Sequence, residues 1–84
     1  MIKVLYFARL KESLNYSTED MALPSSVSTI LQLKAHLSGR GDTWANIFSG
    51  KQVVRAAINH ALVDDSEIIK AGDEVAFFPP VTGG

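Results

Sequence analysis

Eighty-four residues bound this protein to one small domain, with no room for two subdomains flanking a cleft. At 46% apolar residues and a formal charge of −1, the chain is neither disordered nor basic enough to bind nucleic acid through clustered Lys and Arg. It has no cysteine to form a disulfide, act as a nucleophile or carry a persulfide, so any sulfur it handles must ride on another atom.

Ile2 to Arg9 is rich in β-branched and aromatic residues and predicts a first strand. Its even positions, Ile2, Val4, Tyr6 and Ala8, are apolar throughout and are assigned to the core. Leu5 and Phe7 then lie on a face that starts and ends with charge, at Lys3 and Arg9. Lys11 to Asn15 reads as a polar connection, and Tyr16 to Leu23 as a second strand stopped by Pro24. Ser25 or Ser26 can cap the helix that follows, whose face is marked by Val27, Ile30, Leu31, Lys34 and Leu37. Gly39 and Gly41 end it, both being able to take the left-handed conformation cheaply.

Asp42 can cap a short second helix carrying Trp44, Ile47 and Phe48, closed by Gly50. Val53 to Ile58 predicts a strand, and Ala61 to Val63 a short one beyond an Asn59-His60 turn. Asp64 to Asp73 is turn-rich, and Glu74 to Phe78 is the last strand. A hairpin, a helix crossing one sheet face and a last strand returning beside the first make an α+β fold. The expected architecture is the β-grasp roll of ubiquitin-like domains, a mixed sheet of about five strands with one main and one short helix. Residues 1–78 form the domain, and 79–84 an extended tail.

Pro79 and Pro80 lack N–H donors and fix φ, so sheet pairing stops and the chain leaves in a stiff, extended form. Val81 and Thr82 lead to Gly83 and Gly84. Four residues reach roughly 13 Å when extended, and glycine has no Cβ to jam in a narrow channel. The bland alternatives are a frayed end or an appended remnant. At an average glycine usage of about 7%, chance alone gives two terminal glycines in roughly 0.5% of chains, so chance is a poor account. A carboxylate is inert as an acyl donor until it is adenylated. The chain has no phosphate-cradling loop of its own, since Gly39-Arg40-Gly41 lacks the strand context and the lysine such a loop needs. An outside ATP-using enzyme would have to activate Gly84, which could then accept sulfur or be passed to an amine.

The opening Ile2-Lys3-Val4-Leu5-Tyr6-Phe7-Ala8-Arg9 resembles the molybdopterin synthase small-subunit (MoaD) family. The ending, Gly72-Asp73-Glu74-Val75-Ala76-Phe77-Phe78-Pro79-Pro80-Val81-Thr82-Gly83-Gly84, is closer still, while 15–50 matches loosely. The resemblance implies a non-catalytic sulfur carrier of molybdenum cofactor synthesis with no stably bound cofactor. An adenylating enzyme of the ubiquitin-activating type would use ATP on Gly84, and sulfur from a persulfide relay would replace AMP. The thiocarboxylated tail would enter the large synthase subunit and give its sulfur to cyclic pyranopterin monophosphate. Docking would use Phe7, Leu62 and Phe78, with Pro79, Pro80, Val81 and Thr82 leading Gly83 and Gly84 inward. The alternatives are a carrier for thiazole synthesis and a ubiquitin-like modifier conjugated through Gly84.

The remaining polar residues suggest no catalyst. His36 falls on the main helix and His60 in a turn, neither with ligands at metal spacing, and Asp64, Asp65 and Glu67 form a solvated acidic turn. Trp44 reads as a core anchor, and no serine has the setting of a nucleophile. With no apolar run near the ~20 residues that span a bilayer and no secretory pattern, the expected location is the cytoplasm, away from membranes.

Overall fold

The computed structural model describes residues 1–80. In chain order they form β1 (Ile2–Tyr6), α1 (Arg9–Leu14), β2 (Thr18–Met21), α2 (Ile30–Ser38), α3 (Asp42–Phe48), β3 (Arg55–Ile58), β4 (Ala61–Val63) and β5 (Glu74–Phe78). The strands make one mixed sheet in the order β2-β1-β5-β3-β4. Only the central pair, β1 with β5, is parallel; the other pairings are antiparallel. This is the β-grasp arrangement expected from the sequence, with three helices rather than two.

Strand alternation sorts the side chains as expected. Ile2, Val4 and Tyr6 of β1 and Val75 and Phe77 of β5 are all buried. They pack with Ile30, Leu33 and Leu37 of α2 and Ile47 and Phe48 of α3 in one core. Asn59 and His60 both have positive φ, 50° and 73°, as the tight turn between β3 and β4 requires.

Several boundaries move, each for a physical reason. The first strand stops at Tyr6 rather than Arg9, and residues 9–14 are helical instead of a polar connection. Leu10, not Ala8, supplies the next core side chain: Leu10 is 1% exposed, whereas Ala8 is open to solvent. β2 is shorter than Tyr16 to Leu23, and β3 begins at Arg55 with Val53 exposed outside it.

The cap of α2 is Thr29, not Ser25 or Ser26. Thr29 Oγ1 accepts the Gln32 backbone N–H at 3.2 Å, and Gln32 Oε1 accepts the Thr29 N–H at 3.1 Å. This reciprocal box satisfies donors that a serine four residues earlier could not reach. Val27 is buried ahead of the helix, and Leu31 lies on its exposed side. Gly39 ends α2 in a right-handed conformation, and Gly41 rather than Asp42 is the N-cap of α3.

One polar cluster fastens these layers. The Tyr6 hydroxyl donates to Glu19 Oε2 at 2.7 Å, and Arg40 grips the same carboxylate through two nitrogens at 2.7 and 3.1 Å. The guanidinium also lies 4.7 Å from the Trp44 ring centroid, a cation–π contact. Burial, and next the Glu19 carboxylate, push the Tyr6 phenol well above its usual range. Burial of Glu19 acts to raise its pKa, but the hydrogen bonds from Arg40 and Tyr6 and the Arg40 charge together hold it below the ordinary carboxylate value.

Two predictions follow from packing and charge. Phe77 is fully buried, so Phe77→Ala will cost about 3–5 kcal/mol, a large share of a small domain's stability, read as a lower urea midpoint. Glu19 carries a depressed pKa, so its contribution is present above the unfolded carboxylate pKa and is lost as pH falls through the folded value. Stability of the native chain will therefore decline on acidification below about pH 4.5, and Glu19→Gln will flatten that part of the curve while lowering stability at neutral pH. Urea melts across the acid range check both slopes.

Candidate functional site

Because β1 and β5 run parallel, both leave the sheet at the same end. The ladder pairs Tyr6 with Phe77, and the Phe7 N–H then donates to the Phe77 carbonyl at 3.1 Å. Phe7 and Phe78 thus each follow the last paired residue of their strand, and alternation turns both to the face opposite the core, where β5 runs into Pro79 and Pro80. The two Phe residues at 77 and 78 divide accordingly, Phe77 fully buried and Phe78 half-buried.

A single row crosses this outer face: Leu5 pairs with Ala76, Ala76 with Ala57, and Ala57 with Leu62. Paired strands lie ~4.8 Å apart, so the row spans roughly 14 Å. Phe7 is 47% exposed and Leu62 61%; α2 and α3 pack against the opposite face, leaving this one open. Lys3 rims it between Asp20 and Glu74, and Arg55 stands opposite Phe78. The result is a contiguous apolar strip with charged edges, the composition of a partner surface.

The chain leaves Phe7 by an abrupt turn. The Leu10 N–H donates to the Phe7 carbonyl at 3.1 Å, and Ala8 has φ 55° and ψ −132°. Those angles are the first central position of a type II′ turn, which glycine usually fills. No Gly, Pro, Asn or Asp occurs between Phe7 and Leu10, so nothing in the sequence signals a turn there.

Of the expected site residues, Phe7, Leu62 and Phe78 share the outer face, and Pro79 and Pro80 continue from its edge as half-buried residues. Val81, Thr82, Gly83 and Gly84 lie outside the described residues. His36 is exposed, and His60 Nε2 lies 3.4 Å from Glu74 Oε2 on the surface. Trp44 is half-buried against the core. Asp65 is less solitary than expected, since Lys34 Nζ bonds it at 2.7 Å and also donates to the Val54 carbonyl at 2.7 Å. Asp64 is held below the usual carboxylate range by the Ser66 hydroxyl and backbone N–H.

A groove of about 780 Å³ lies on the helical side, bounded by Leu31, Ile47, Phe48, Val53 and Val54. Its ammonium group, on Lys34, is already engaged by Asp65 and a carbonyl. Among the described residues no group of His, Cys, Asp and Glu gathers as a metal site. No helix among them is long and apolar enough to cross a membrane.

The ThiS family model matches residues 4–84. The chain is 39% identical to the molybdopterin synthase sulfur carrier subunit of Escherichia coli K12 over 84 residues, covering all of both chains. It is 40% identical to the corresponding subunit of Haemophilus influenzae over 85 residues, again covering both completely. Among solved structures, the putative molybdopterin converting factor subunit 1 of Pyrococcus furiosus superposes with a TM-score of 0.75 at 28% identity, covering 95% of this chain and 97% of that one. SAMP1 of Haloferax volcanii also gives 0.75, at 25% identity over 99% and 98% of the two chains. The chain therefore belongs to the ThiS family, as a β-grasp member homologous over its full length to bacterial molybdopterin synthase sulfur carrier subunits.

Proposed function

We propose that this chain is the sulfur carrier of molybdopterin synthase, consumed and recharged as a co-substrate rather than acting as a catalyst. The observation that carries this reading is the partly exposed apolar outer face, on which Phe7 and Phe78 follow the last paired residues of β1 and β5, next to Pro79. A domain that delivers a group on an extended terminus needs a docking face next to that terminus, so that binding sets the direction in which the tail enters. The full-length bacterial relatives carry the same assignment by name. A β-grasp chain of Helicobacter pylori, 23% identical with a TM-score of 0.66, was solved as a complex of molybdopterin-converting factor subunits 1 and 2. The large synthase subunit is accordingly the proposed docking partner.

The chemistry belongs to Gly84. A carboxylate oxygen attacks the α-phosphorus of ATP on an activating enzyme of the ubiquitin-activating type, and pyrophosphate leaves. A persulfide sulfur then attacks the acyl carbon, and AMP departs with its phosphate. A second thiol of the relay reduces the acyl disulfide, forming a disulfide itself and releasing the thiocarboxylate. Docked on the large subunit, that sulfur attacks an electrophilic carbon of cyclic pyranopterin monophosphate and displaces its oxygen substituent; water then cleaves the acyl–sulfur bond, leaving the sulfur on the pterin and returning Gly84 to a carboxylate. No cofactor is held by this chain; ATP is used by its partner. The absence of cysteine suits a carrier whose transferable sulfur rides on a terminal carbonyl, because no internal thiol can intercept the acyl group. A second reading, conjugation to lysine as a ubiquitin-like modifier, is favoured by the likeness to the small archaeal modifier protein 1 of Haloferax volcanii.

Incubation with a cognate activating enzyme, ATP and a sulfur donor will raise the intact mass by about 16 Da, one oxygen exchanged for sulfur. Deleting Gly84 will abolish that shift while changing the melting temperature little, because a terminus carries few buried contacts. A ladder of conjugates without a thiocarboxylate would favour the modifier reading. On the docking face, Phe78→Ala and Phe7→Ala will fold but bind the large subunit about thirtyfold more weakly, equivalent to ~2 kcal/mol. Binding titrations paired with thermal melts check this, and full-strength binding by both would remove the face from the docking surface.

A further inference from the structure

We infer that Ala8 is a positioning residue for docking: its strained turn holds Phe7 at the tail's root. This inference rests on the reading of the outer face as the surface that meets the large subunit. Its basis is a local contradiction. Ala8 stands at φ 55° and ψ −132°, where an L side chain clashes with its own backbone and glycine does not. The position is exposed, so no packing of an Ala8 methyl in the core accounts for keeping a side chain there. Strained non-glycine residues persist where the surroundings over-determine them, and they gather at functional sites.

The surroundings here do over-determine the turn. On its N-terminal side, Phe7 continues the ladder through its N–H to the Phe77 carbonyl at 3.1 Å. On its C-terminal side, the Leu10 N–H bonds the Phe7 carbonyl at 3.1 Å, and the Glu12 N–H bonds the Ala8 carbonyl at 3.2 Å. Leu10, 1% exposed, plugs the end of the core. The Phe7 peptide is thus held from both sides, while Phe7 as a residue is left 47% exposed.

With alanine the backbone has few alternatives once Leu10 is seated. With glycine the same turn is relaxed, but the mirror regions of conformational space open and Phe7 gains freedom that docking must remove.

The test is Ala8→Gly in the full-length chain, alone and combined with Phe7→Ala. Relief of the strained φ will raise the melting temperature by about 4 °C or more. Affinity for the large subunit will nevertheless fall about threefold or more, since an ordered aromatic must now be re-ordered on binding. In the Phe7→Ala background the loss caused by Ala8→Gly will vanish, because its effect passes through that ring. A fall in melting temperature, unchanged affinity, or a loss that persists without the Phe7 ring would each overturn the inference. Phe78→Ala in the same titration separates the two levels. If it binds at full strength, the reading of the face has failed; if it binds weakly while Ala8→Gly binds normally, only the role of Ala8 has.

Discussion

The parallel pairing of β1 with β5 is the constraint on which the molecule turns. Antiparallel neighbours can be joined by two residues, but parallel ones need a crossover that carries the chain back to the starting end. Here the paired strands are the first and the last, so every other element is part of that crossover. Two consequences reach the site. The pair occupies the middle of the sheet, where Val4 and Val75 are both fully buried, and the final strand is therefore firmly seated. Both strands also point the same way, which brings Phe7 to the side of Phe78 and makes one edge of the molecule the origin of both α1 and the tail.

The sheet has helices on one face only, and its other face is where the strips of sequence and function meet. A half-covered sheet normally shows polar residues outward. Leu5, Ala76, Ala57 and Leu62 instead form an apolar row across four strands, while charge is kept to the margins at Lys3, Asp20, Glu74 and Arg55. Under the proposed function this division is coherent: the core side supplies stability and the outer side recognition. Such a carrier needs no buried acid or base, and among the described residues the raised Tyr6 phenol and the lowered Glu19 carboxyl are tied to structural contacts.

The cluster of Tyr6, Glu19 and Arg40 shows how a small domain can include polar groups without cost to its packing. Every buried side-chain nitrogen and oxygen among the described residues has a partner, and a phenol, a carboxylate and a guanidinium satisfy one another across three segments of chain. Arg40 lies between α2 and α3, so its grip on Glu19 fixes the helical layer to the edge strand β2. Trp44 completes the arrangement by lying under the guanidinium and edge-on to Tyr6, with ring centroids 5.7 Å apart.

Much of this was determined by local chemistry that any short window of sequence displays. Alternation marked Ile2, Val4, Tyr6, Val75 and Phe77 as core, because a strand turns successive side chains to opposite faces. Asn59-His60 announced its turn because Asn tolerates the left-handed region, and Pro79-Pro80 the end of the sheet because proline fixes φ and lacks an N–H. What only tertiary structure decided are the features in which distant residues override local preference. Thr29 caps α2 instead of Ser25 or Ser26 because Val27 is drawn into the core first and Ile68 pairs with the cap. Residues 9–14 coil into α1 because Leu10 fills the open end of the core, a demand invisible in a mostly polar hexamer. The turn at Ala8 carries no turn residue at all, and the bond between Arg40 and Glu19 spans 21 positions. Local propensity could not reveal either one, since both are set by the closing of β5 against β1 and the helical layer against β2.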